Sequence, residues 1–222
     1  MSIILCIDTS LPLASVALSQ NGTLIAERIS ETQKEHASFL HPAIDSMLKE
    51  SNTSINNLDA VAVTIGPGSY TGLRVGLASA KGFCFALNKP LISLCTLETM
   101  AFQTQINLKA AYQETLFCPM IDARRMEVFT SLYRSDMTCI LQPHAQILNE
   151  DSFQDILKEN EVCFSGNGAD KFLEKINHPN ARQVRISALS TAMSQLGLKY
   201  FNSNIFAETK SLEPNYLKAY QG

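Results

Sequence analysis

Residues 65–74 read Ile65-Gly66-Pro67-Gly68-Ser69-Tyr70-Thr71-Gly72-Leu73-Arg74, between an apolar run, Ala60-Val61-Ala62-Val63-Thr64-Ile65, and a run of small residues from Val75 to Leu87. The first run is short, continuous and β-branched, which predicts a buried strand. Gly66-Pro67-Gly68 ends it. Ser69 is placed to cap a helix, with Thr71 as a second candidate. A strand, a tight glycine turn and a helix N-terminus present outward-pointing N–H groups and the positive end of a helix dipole, a place that suits an anion. The same residues also serve a sharp turn and close packing, which is the reading that the residue types alone favour. No Lys follows the last glycine and the spacing is not G-x-G-x-x-G, so neither common nucleotide-binding loop is present. A nucleophile elbow is also excluded, because Ser69 falls one place too late for G-x-S-x-G.

Working outward toward the N-terminus, Ile3–Ile7 predicts a buried strand ending at Asp8-Thr9-Ser10. Ala14–Leu18 and Thr23–Ile29 predict two more, joined by Asn21-Gly22, a strong hairpin signal. A helix follows from about Lys34 to Glu50, with Phe39, Leu40, Ala43, Ile44, Met47 and Leu48 at helical spacing on one face. Pro42 is expected to bend or interrupt it. After the glycine turn, Asn88-Lys89-Pro90 stops the helix that follows it, Leu91–Leu94 is a strand, and a third helix begins near Thr96. In the second half, Leu116–Asp122, Glu127–Tyr133, Met137–Leu141 and Glu161–Phe164 predict strands, with Arg124-Arg125 in a turn. Helices are expected over about Ala169–Ile176 and Ala188–Phe201. The order β-β-β-α-β-α-β-α divides the chain into an N-terminal lobe, residues 1–110, and a smaller C-terminal lobe, 111–222.

Composition narrows the function classes. The 222 residues are 45% hydrophobic and 18% charged, with a net charge of −3, ordinary for a globular protein with a substantial core. A chain that grips nucleic acid alone shows a basic excess; here Arg124-Arg125 is the only basic pair. The six cysteines are scattered without a C-x-x-C and are expected to be reduced core residues of a cytoplasmic protein. No signal peptide and no membrane span are expected. His36 and His41, five apart, fall on different helix faces and do not form a metal pair. His36 is expected at the surface, His41 at the Pro42 bend, and His144 and His178 in loops.

The string from Gly66 to Gly82, GPGSYTGLRVGLASAKG, closely resembles the signature of the TsaB (YeaZ) family. Supporting resemblances are Ile7-Asp8-Thr9-Ser10, Glu35-His36-Ala37, Pro119–Arg124 and Glu213-Pro214-Asn215-Tyr216-Leu217. The resemblance implies an α/β, two-lobed fold of the actin, sugar kinase and heat-shock ATPase (ASKHA) superfamily. It implies a non-catalytic subunit that pairs with the transferase TsaD in forming threonylcarbamoyladenosine beside the tRNA anticodon. TsaE, an ATPase, would dock on that pair, and tRNA would be reached only through the complex. No cofactor is implied.

In that superfamily, phosphate loops occupy the positions of Asp8, Thr9, Ser10 and of Gly166-Asn167-Gly168. Asp8, Thr9, Ser10, Gly166 and Gly168 are therefore nucleotide-binding candidates, although Pro12 and the lack of glycine favour an ordinary turn in the first, and a plain turn is the favoured reading of the second as well. In TsaD the proline after the helix equivalent to Val75–Leu87 is followed by a strand and then an H-x-E-G-H-like metal motif. Here Thr96 and Met100 stand where its two histidines would be, and a hydroxyl and a thioether are poor ligands for such a metal. The rival class, an ATP-using kinase or a glycoprotease-like peptidase, is disfavoured on these grounds. A stand-alone homodimer stays open.

Gly72, Gly76 and Ala80 recur every four residues beside Leu73 and Leu77, forming a groove that a helix can enter closely. Together with Phe39, Leu40, Ile44 and Met47 it is expected to form the interface for TsaD. Packing of the same groove inside the chain is the alternative. The two differ in their expectation for Gly76→Leu: lost assembly with an intact fold, or unfolding.

Overall fold

The computed structural model describes residues 1–32, 35–108 and 114–218. Two compact units emerge, Met1–Thr96 with Ala188–Tyr216 and Leu97–Ser187 with Leu217–Gly222.

The first unit opens with β1 (Ile3–Asp8), β2 (Ser15–Gln20) and β3 (Thr23–Ile29). They are consecutive antiparallel strands, and Cys6 faces Ala17 across the first ladder. Asn21 and Gly22 both take the positive φ that the hairpin turn between β2 and β3 requires. Helix α1 (His36–Glu50) carries Pro42 within it and runs without interruption. The predicted start at Lys34 lies outside the described residues. Strand β4 (Ala60–Gly66), helix α2 (Tyr70–Leu87) and strand β5 (Leu91–Cys95) follow. Both β4 and β5 join in parallel, giving the sheet order β3-β2-β1-β4-β5.

Period-two alternation then decides which helix meets which face. Leu5, Ile7, Val16, Leu18, Val61 and Val63 point to one side and pack with Leu40, Ile44 and Met47 of α1 and Leu77 and Ala80 of α2. Ile4 and Ala62 point to the other side, where Gly197 of the last helix lies within van der Waals range of both.

The second unit repeats the plan. Helix α3 (Thr96–Leu108) leads to β6 (Leu116–Asp122), β7 (Glu127–Tyr133) and β8 (Cys139–Ile147), an antiparallel meander. Helix α4 (Gln154–Glu159), β9 (Val162–Ser165), α5 (Ala169–Leu173) and β10 (Ala181–Val184) complete it. Strands β9 and β10 add in parallel, so the order β8-β7-β6-β9-β10 has the topology of β3-β2-β1-β4-β5. Its core includes Phe153, Phe164 and Phe172, with ring centroids 5.0–5.7 Å apart, within the range of favourable aromatic pairs. Ala101 of α3 is buried with Phe117, Tyr133, Cys163 and Val184.

Several expectations change. The last long helix, α6 (Ser190–Asn202), packs on β1, β2, β3 and β5 rather than within a C-terminal lobe. The first unit therefore takes its final helix from the end of the chain, and α3 beyond Thr96 groups with the second. A cut between residues 110 and 111 does not describe this grouping, and that position itself lies outside the described residues. Strand β8 runs through Pro143 to Ile147, so His144 is a strand residue. Helix α4 and strand β10 are additional elements.

Candidate functional site

Asp8-Thr9-Ser10 lies at the C-terminal end of β1, where an open α/β sheet receives ligands. All three are fully buried. One carboxylate oxygen, Asp8 Oδ1, accepts from the Ser10 backbone N–H at 2.9 Å, Ser10 Oγ at 2.6 Å and Thr64 Oγ1 at 2.7 Å. Burial raises the Asp8 pKa; the hydrogen bonds from Ser10 and Thr64 and the charge of His36 oppose that rise without reversing it. Thr9 Oγ1 donates to the Gly72 carbonyl at 2.7 Å. The Ser10 carbonyl accepts from Ser69 N–H at 2.8 Å.

The glycines make this approach possible. A Cβ on Gly68 would meet the Ser10 carbonyl, one on Gly72 the Thr9 carbonyl and one on Gly76 Thr9 Oγ1, each far inside contact distance. The glycine turn and the first two turns of α2 thus fit around the Asp8–Ser10 turn. Ser69 caps α2 as predicted, its hydroxyl accepting from Gly72 N–H at 3.2 Å. Close packing is a use the turn realises: the Thr9 and Ser10 hydroxyls and the Ser10, Ser69 and Gly72 N–H groups are bonded within the chain.

The chain's end joins this arrangement. Asn215 N–H donates to the Ile65 carbonyl at 2.7 Å, and the Asn215 carbonyl fills the space where Gly66 would carry a side chain. Tyr216 accepts from Arg74 Nε at 3.0 Å, and its ring lies 4.8 Å from that of Tyr70. The Arg74 guanidinium sits 4.2 Å over the Tyr70 ring, a cation–π contact.

In the second unit, Gly166 and Gly168 are likewise packed against their own sheet. Gly166 has φ +90°, and a Cβ there would strike the Met100 methyl and the Met120 carbonyl. Gly168 N–H donates to Met120 at 3.0 Å, and Asn167 Oδ1 accepts from Asp122 N–H at 3.1 Å. Met100 is fully buried. Thr96 Oγ1 is buried with no hydrogen-bond partner among the described residues. These two residues do not fit a divalent metal: neither supplies imidazole or carboxylate.

The expected interface needs correction. Leu40, Ile44, Met47, Gly72, Leu73, Gly76, Leu77 and Ala80 are all buried by the chain itself. Only Phe39 retains partial exposure. The groove of small residues is filled by the Thr9 turn, so a second subunit cannot enter it. His36 is not at the surface either; it is buried, with Nε2 3.0 Å from the Leu11 carbonyl. His41 is exposed, its ring 5.6 Å from Phe83 and its Nε2 3.3 Å from Ser79 Oγ.

The face that α2 leaves open lies on other residues: Arg74, Ala78, Gly82 and Phe85. Phe85 is 87% exposed. A Cβ on Gly82 would meet nothing within 4 Å. The signal that could have found this face was a second stripe, Arg74-Ala78-Gly82, with the four-residue spacing of the buried one.

Comparisons with known proteins fit this picture. The family model described as TsaD: tRNA N6-adenosine threonylcarbamoyltransferase matches residues 23–201. The chain is 34% identical over 167 residues to the tRNA threonylcarbamoyladenosine biosynthesis protein TsaB of Bacillus subtilis, covering 73% of this chain and 70% of that one. A solved structure from Pseudomonas aeruginosa, described as an uncharacterized protein with similarity to peptidase YEAZ, shares the fold with a TM-score of 0.80 at 24% identity, covering 98% of this chain and all of the other. The inorganic polyphosphate/ATP-glucomannokinase of an Arthrobacter species superposes with a TM-score of 0.53 at 8% identity, covering 91% of this chain and 100% of that one. The architecture is therefore that of the actin-like ATPases and sugar kinases, and the chain belongs to the TsaB (YeaZ) family.

Proposed function

We propose that this chain is a non-catalytic subunit in the formation of threonylcarbamoyladenosine on tRNA, acting as the dimerisation partner of a TsaD-like transferase. The observation that carries this reading is the filled turn at Asp8-Thr9-Ser10: the Thr9 and Ser10 hydroxyls and the Ser10 N–H are bonded within the chain, and Gly68, Gly72 and Gly76 close over it. The name of the B. subtilis relative supplies the pathway. Thr96 and Met100 support the division of labour, since a transferase that holds a metal needs better ligands at those places. The kinase and peptidase alternatives call for a phosphate loop or a metal centre in these same positions.

The partner would dock on the outer face of α1 and α2. Ala78 and Gly82 keep that face low, Phe85 stands out from it, and an exposed side chain of that size suits a partner's pocket. His41 and Phe83 mark the seam between the two helices. A TsaE-like ATPase would join the assembled pair, and with a net charge of −3 this subunit would contribute to tRNA handling within the complex. Self-association through the same face is the second state open to the isolated chain.

Co-purification with the TsaD-like protein of the same cell tests the pairing. A stable one-to-one complex is expected, with tRNA modification restored in cells depleted of this chain. Full modification without it would overturn the proposal.

A further inference from the structure

The connection between β6 and β7 holds a feature that neither the packed turns nor the α1–α2 face uses. Arg124 and Arg125 both adopt the left-handed conformation, with φ +70° and +48°. Side chains other than asparagine rarely occupy it. Among the described residues, asparagine stands at four of the eight non-glycine positions of positive φ, and only 124 and 125 are consecutive. Turn geometry alone favours Asn or Gly at such positions.

The local charge is also unbalanced. Asp122 and Glu127, the carboxylates flanking the connection, are each matched by a lysine: Lys171 pairs with Asp122, and Lys218 lies 2.5 Å from Glu127. Lys171 also donates to the Arg125 carbonyl at 2.9 Å and the Glu127 carbonyl at 2.6 Å, holding the turn in shape. Both arginines are exposed, and neither guanidinium has an ion pair among the described residues. The hairpin tip therefore presents two adjacent, uncompensated guanidinium groups on a braced backbone. Guanidinium groups match phosphodiester oxygens in charge and in fork geometry.

We infer that Arg124 and Arg125 form a phosphate-contacting tip through which this subunit touches the tRNA backbone. The choice of RNA over an acidic protein rests on the function proposed above. Two phosphate contacts are too few to give this chain tight RNA binding by itself. They are enough to orient a tRNA already held by a larger assembly.

The test uses the full chain and fluorescein-labelled unmodified tRNA, with binding followed by anisotropy from 20 to 200 mM salt. Weak binding is expected, with Kd on the order of 10⁻⁴ M at the upper end of that range. Arg124→Asn with Arg125→Gly suits the backbone better, so its melting temperature should be unchanged or higher. It should bind about tenfold more weakly at low salt, with a log–log salt slope smaller by about 2. Arg124→Lys with Arg125→Lys should retain the slope. Superimposable curves for the wild type and the Asn/Gly variant, or no tRNA binding by either, would overturn the inference. A failure of the parent proposal would show elsewhere, as full threonylcarbamoyladenosine formation in cells lacking this chain.

Discussion

The Thr9 hydroxyl donates a 2.7 Å hydrogen bond to the carbonyl of Gly72, one turn before Gly76 on the same helix. That bond joins the end of β1 to the first turns of α2, and it requires the close approach that only glycine at 72 and 76 permits.

The two glycines of α2 with opposite surroundings should respond oppositely. In an open helix site, glycine to alanine stabilises by about 0.5–1 kcal/mol. Gly82→Ala should do so, because its Cβ enters free space. Gly76→Ala should destabilise by roughly 1–3 kcal/mol through overpacking against Thr9, and Gly76→Leu should prevent folding. Urea titrations of the isolated chain measure all three. A well-folded Gly76→Leu would show that the Thr9 turn moves away from the helix easily.

Why this was ambiguous in the sequence is clear from the stripe itself. Gly72-Gly76-Ala80 announces that something approaches α2 closely, and that held. The approaching group is Thr9, through its carbonyl at Gly72 and its side chain at Gly76, more than 60 positions earlier, and helical spacing carries no information about whether such a group is internal or a partner. Most elements were legible for local reasons: Asn21-Gly22 set the first hairpin, and Leu116–Asp122 and Glu127–Tyr133 matched their observed bounds. Helix α4 was hidden by its six-residue length, and its N-cap is Phe153 in a left-handed conformation rather than a capping residue. Strand β10, largely exposed, lacks an apolar pattern. The return of α6 to the first sheet depends on tertiary contacts with Ile4 and Ala62 that no local pattern encodes.

Asp8 should make stability fall as pH rises. Its folded pKa lies above the ordinary value of 3.8, mainly through burial. The folded state then binds more protons than the unfolded one between those two values, so this group's contribution is complete below about pH 4 and is lost as pH climbs through the raised folded pKa. Asp8→Asn keeps an acceptor for Ser10 and Thr64 but cannot ionise. It should be at least as stable as the wild type at pH 7, with the advantage disappearing below about pH 4. Chemical denaturation at pH 3.5, 5 and 7 would show it. A large loss of stability at pH 7 would mean that the carboxylate charge itself holds the turn.

Phe85→Asp separates surface from core. The side chain is 87% exposed, so folding stability should change by no more than about 0.5 kcal/mol. Burying that ring in a partner is worth about 1.5–3 kcal/mol, so pairing with the TsaD-like subunit should weaken at least tenfold. Calorimetric titration of the two subunits provides the number. Unchanged affinity would move the interface away from the outer face of α2.

The central claim is that this chain is required in threonylcarbamoyladenosine formation without performing the chemistry. Its most direct test is a reconstitution with TsaD-like and TsaE-like subunits, threonylcarbamoyl-adenylate, ATP and unmodified tRNA, read by nucleoside mass spectrometry. The modified nucleoside should form with this chain present and be nearly absent without it. Asp8→Asn should support the same rate, and the chain alone should produce none. Full modification in its absence, or abolition of the reaction by Asp8→Asn in a complex that still assembles, would contradict the account.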